Sequence, residues 1–103
     1  MMTMKRHDTL PDLTITCTDS AAVVNLTTAT SIKIIATQAN EPLFSRAVTG
    51  SASGVIVMQW QPLDTAVTGT ILMEVEVTWP AGGGVQTFPA SGYLRVQVVE
   101  DLG

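Results

Sequence analysis

Charge is scarce in this chain: 14% of its 103 residues are Asp, Glu, Lys or Arg, against roughly a quarter in an average globular protein. Basic residues are fewest, five against nine carboxylates for a net charge of −4. That balance excludes the basic patch or stripe a nucleic-acid surface requires. Lys5-Arg6-His7 is the one basic cluster, and Asp8 follows it directly. The single cysteine, Cys17, can form neither an internal disulfide nor a zinc site, which needs several Cys or His ligands. It reads as a small buried apolar residue. No apolar run exceeds four residues, as at Val55–Met58. That is too short to span a membrane and leaves no core for a signal peptide. Synthesis and folding in the cytoplasm are therefore expected, with no membrane partner. What covers the surface instead is Thr, Ser, Gln and Ala. Such a neutral surface suits either a subunit of an assembly or a Thr-rich β domain.

What the sequence does have is a period of two. Leu13, Ile15 and Cys17 alternate with Thr14, Thr16 and Thr18 until Asp19-Ser20. Thr30–Thr37 follows with Ile32, Ile34 and Ala36 on one face, and Ile35 blurs the other. Asn40-Glu41-Pro42 reads as a turn, Leu43–Val48 as a weaker strand, and Gly50–Gly54 as a loop. Val55–Trp60 is a strand stopped by Pro62, and Asp64–Gly69 is a connection. Thr70–Trp79 alternates most cleanly: Ile71, Met73, Val75, Val77 and Trp79 oppose Leu72, Glu74, Glu76 and Thr78. A helix would scatter both sets around its circumference. Pro80–Gly84 is a hairpin loop leading to Val85–Phe88. Pro89 interrupts, Ser91-Gly92 turns, and Tyr93–Val99 closes the series with Leu94, Val96 and Val98 on one face. About seven strands with turns roughly every ten residues predict one all-β domain, an immunoglobulin-like antiparallel β-sandwich. Its extent is 13–99, with an N-terminal arm at 1–12 and a short acidic tail at 100–103.

Candidate chemistry is thin. Glu74 and Glu76 share one strand face, as a glycosidase pair or a calcium site would need. A regular polar face supplies no cleft to separate two carboxylates, so they read as solvated. His7 has no nucleophile beside it. The glycines at 82–84 lack a phosphate-loop pattern and a following helix. No catalytic residue, metal or cofactor site is assigned, and the protein is read as not an enzyme. Trp60, Trp79, Phe88 and Tyr93 could form a sugar platform or fill the core.

From Gly54 onward the order GVIVMQWQPLDTAVTGTILMEVEVTWPAGGGVQTFPASGYLRVQVV resembles the N-terminal domain of the phage baseplate upper protein family of tailed bacteriophages. The shared features are Trp60, Asp64, Gly69, Glu74, Glu76, Gly83, Thr87, Phe88, Pro89, Gly92 and Tyr93. The first half is similar more loosely through MKRHDTLPDLTITCTDS and VNLTTATSIKI, with Thr28 where the family commonly has glycine. The resemblance implies a virion structural role, usually as the attachment domain of a larger fibre or receptor-binding part. No shaft or receptor-binding part follows before Gly103, which points to an adaptor.

The expected function is a non-enzymatic docking module of a phage tail or baseplate, located in the virion and present in multiple copies or as a homo-oligomer. The alternatives are a capsid decoration protein of the same fold and a carbohydrate-binding module. Other virion proteins, such as a tail, baseplate or major capsid protein, are the expected partners. The arm supplies the expected contact residues: Met1, Met2 and Met4 for an adaptable apolar groove, and Lys5 and Arg6 for acidic groups. Before Leu13 no clean alternation ties that arm to the core.

Overall fold

β8 (Gly69–Thr78) organises the molecule, because its inward residues Ile71, Met73, Val75 and Val77 are all fully buried. In the computed structural model, which describes residues 2–102, it lies centrally in a six-stranded sheet. β5 (Ser31–Gln38) pairs along one side of it, and β6 (Glu41–Ala47) pairs with β5 at the sheet's edge. The β5–β6 turn is Ala39-Asn40, both in the left-handed region at φ 53° and 64°. Two such residues match the twist of a hairpin. Pro42 therefore lies inside β6 and not in the turn, tolerated because an edge strand can spare an N–H. The register shifts beside it, between Ala36 and Thr37.

The other side of β8 is shared by two strands. β9 (Val85–Phe88) covers Val75–Thr78, and β10 (Leu94–Val99) covers Gly69–Met73. Between them Pro89 and Gly92, the latter at φ 73°, carry the chain across. Pro89 cannot donate to the ladder, so the strand expected to stop there does stop.

A second layer comprises β2 (Leu13–Thr16) paired antiparallel with β7 (Val55–Met58). Two short strands, β3 (Thr18–Asp19) and β4 (Ala22–Val23), form a third, two-stranded sheet. Leu13, Ile15, Cys17, Ile56, Met58 and Trp60 join the inward residues of the large sheet in one core. The fold is thus all-β, with ten strands in three sheets among the described residues. All seven expected strands are present. β3 and β4, two residues each, were not expected: Thr18 and Asp19 read as the end of the first strand, and 22–23 were assigned to no element.

The N-terminal arm requires a correction. β1 (Met2–Lys5) pairs with β10, parallel, with Met2 opposite Val96 and Met4 opposite Val98. Met4 is 3% exposed within the core, and Met2 packs against it. A four-residue strand is too short to show a period, and its burial comes from β10. The segment at 2–5 therefore belongs to the sheet. Met1 lies outside the described residues.

Candidate functional site

The segment after β1 is tied to a single 3-10 turn, Pro62–Thr65. The His7 amide donates to the Thr65 carbonyl at 3.0 Å, and Thr65 Oγ1 donates to the Asp8 carbonyl at 2.9 Å. Arg6 Nε donates to the Ala66 carbonyl at 3.0 Å, while its Nη1 reaches Glu100 at 3.3 Å. Thr65 is fully buried, so its hydroxyl and carbonyl are satisfied by this strap.

From its other side the turn is held by a charge pair. Arg46 of β6 donates to both oxygens of Asp64, at 2.8 and 3.0 Å. Asp64 is buried and also accepts the Gln61 amide at 2.8 Å. The Asp64 hydrogen bond holds the Arg46 guanidinium above its ordinary pKa. A bidentate pair of this kind fixes direction as well as distance. Arg46 also stacks on Phe44, 4.3 Å from the ring centroid, and Phe44 meets Trp60 edge-on at 6.4 Å. The Trp60 indole N–H is buried without a partner among the described residues.

The outcome is a braced region, termed the pole, whose segments carry exposed aliphatic side chains. Leu63 is 80% exposed, Val67 62% and Leu10 72%. All three sit on the segments that the strap joins. A charge-poor protein that holds three large aliphatic side chains outward on a fixed frame has the makings of a contact site.

Of the arm residues expected to dock, Met4 is buried and Met2 packs on the core, so these two methionines are not free to fill a partner's groove. Lys5 stays exposed, and Arg6 is engaged by Ala66 and Glu100. The apolar residues of the pole, Leu10, Leu63 and Val67, carry no sequence pattern. They precede or follow Pro, Asp and Thr in connections, and only their exposure distinguishes them.

The four aromatics do not form a platform. Trp60 and Phe88 are buried, and Trp79 is half-buried with its indole donating to Gln86 at 3.1 Å. Tyr93 alone offers an open ring. Glu74 and Glu76 are both half-exposed on the outer face of β8, and Lys33 lies 3.5 Å from Glu76. An apolar groove of about 480 Å³ runs between β2 and β10, lined by Leu13, Ile15, Met73, Leu94 and Val96. Among the described residues no three His, Cys, Asp or Glu side chains converge as a metal site. No family model matches this chain, and no curated protein or solved structure matches it.

Proposed function

We propose that this chain is a non-enzymatic docking module of a tailed-phage particle, an adaptor in the tail or baseplate, built on an immunoglobulin-like plan. The order β10-β8-β5-β6 matches the G-F-C-C′ sheet of that plan, and β2–β7 matches its B–E pair. The phage assignment rests on the residue pattern from Trp60 to Tyr93. The observation that carries the docking role is the braced pole, with Leu10, Leu63 and Val67 exposed on a frame held by Arg6, Thr65 and the Arg46–Asp64 pair.

The pole favours a protein partner over a membrane. Asp8, Asp12, Glu100 and Asp101 lie in or beside its segments, and they offset the charge that Lys5 and Arg6 would offer to anionic lipid. A multi-copy virion subunit fits this surface, with the apolar side chains meeting a neighbouring virion protein. Capsid decoration uses the same chemistry at a different address.

The test is the double substitution Leu63→Asp with Val67→Asp in particles that carry the protein. Both residues are exposed, so the isolated domain keeps its melting temperature. Occupancy on purified particles falls, and electron microscopy of the parent particle places the density on tail or capsid. Normal occupancy of the double variant would remove the pole as the docking site. Absence of the protein from purified particles would remove the virion reading altogether.

A further inference from the structure

The two carboxylates of β8's outer face are not equivalent. In register, Glu76 lies opposite Lys33, and the two form an ion pair at 3.5 Å. Glu74 lies opposite Ile35, so its direct partner on β5 is an aliphatic side chain, while Lys33, one row away, is engaged by Glu76. On its other flank Tyr93 immediately precedes Leu94, the partner of Met73, which brings Tyr93 alongside Glu74. The Glu74, Asn40, Thr37 and Tyr93 side chains make no hydrogen bond or ion pair with any described residue. These four line one depression of about 200 Å³, floored by Ile35 and Leu72. Tyr93 is 50% exposed, so half its surface stays open to solvent.

From this cluster we infer a carbohydrate subsite: Tyr93, Glu74, Asn40 and Thr37 on the outer face of the large sheet take one neutral pyranose ring. The chemistry of the lining selects that ligand. An open aromatic face over an aliphatic floor suits the C–H face of a pyranose. A carboxylate that only accepts, an amide that donates and accepts, and two hydroxyls match the mixed donors and acceptors of sugar hydroxyls. The volume lies below the roughly 300–1,000 Å³ of pockets that hold drug-sized ligands, so the site fits one ring and not a nucleotide cofactor. A lysine side chain is the rival occupant, since Glu74 and Tyr93 could receive an ammonium. Arg95 argues against it: opposite Leu72 in register, exposed on the same face, it places a positive charge one row away. The Asn40 amide N–H has no acceptor to meet on an ammonium.

Saturation-transfer NMR on the full chain tests the assignment with methyl α-D-glucopyranoside, methyl β-D-galactopyranoside and N-acetylglucosamine. Nα-acetyl-lysine methylamide is the cationic probe. At least one pyranose should bind, with a dissociation constant on the order of a few millimolar for so small a ligand. Tyr93→Ala should weaken that binding about tenfold or more, the scale of one lost ring contact. Glu74→Gln should weaken it several-fold, and Glu76→Gln should leave it unchanged. Circular dichroism confirms that each variant is folded. Failure of all three pyranoses to bind overturns the subsite. So does binding that survives Tyr93→Ala, or a response to the lysine probe alone.

Discussion

β8 and β1 flank the same strand, β10, yet they became strands for different reasons. β8 is paired on both sides and alternates five half-buried outward positions with four fully buried apolar inward ones. Its own residues pay for its burial. β1 has four residues and one neighbour, and β10 sets its register. Met4 is buried because Val98 lies opposite it, not because the N-terminal sequence declares a face. A central strand must carry its own amphipathic pattern, whereas an edge strand can borrow one from the ladder it joins.

Breaking each region should show this difference in size. Val75→Asp places an unpaired charge at the fully buried centre of β8. Several kcal/mol, comparable to the whole stability of such a domain, should be lost. Soluble expression should vanish, and a soluble, folded variant would mean the strand register is wrong. Arg46→Ala leaves the buried Asp64 carboxylate without its cation. About 3 kcal/mol is expected in urea unfolding, which would show that the braced turn matters nearly as much as the central strand.

At β1, Met4→Ala should cost about 2 kcal/mol, the low end for a buried methionine because the strand lies at an edge. For a chain of this size that lowers the melting temperature on the order of 10 °C. Deleting Met2–Arg6 should lower it further, since the strand and the Arg6 strap go together. An unchanged melting temperature after the deletion would return the segment to the status of a loose arm.

The core between the layers has its own reporter. Cys17 is buried, and desolvation raises its thiol above the ordinary value of 9.0. A group held above its unfolded value contributes stability that is complete below that value and declines as pH rises toward the folded one. Stability should therefore be level from pH 7 to 8.5 and decline above about pH 9. Cys17→Ala should flatten the decline. A thiol reagent at pH 8 should label Cys17 only in denaturant, and rapid labelling of the native protein would contradict its burial.

The smallest effect is expected on the outer face of β8. Glu76→Gln removes a part-exposed ion pair with Lys33, worth about 0.5 kcal/mol or less. A loss as large as that of Met4→Ala would mean that the outer face carries structural weight and that β8 is not supported mainly from within.

The seven longer strands were legible because period two persists over several residues in each, and because Pro and Gly punctuate the gaps. Leu94 and Trp79 were expected to face inward and are only half-buried; at Leu94, β1 begins opposite Val96 and leaves the edge beside it open. The β5–β6 turn was expected to run two residues too far, to Pro42, because Pro42 reads as a turn former although an edge strand accommodates it. The pole was not legible at all. Leu10, Leu63 and Val67 are isolated in sequence, and only the hydrogen bonds of Arg6, His7 and Thr65 bring their segments together.

By itself the sequence determined that the protein is all-β, which residues face inward along the longer strands, and that the chain breaks at Pro89. Those features follow from alternation and backbone chemistry, which act between near neighbours. The tertiary structure alone decided that Met4 enters the core, that Asp64 is buried against Arg46, and that Glu74 lacks the cation Glu76 has. Each depends on which strand lies alongside, and pairing partners come from residues 18 to 94 positions apart, beyond the reach of any local pattern.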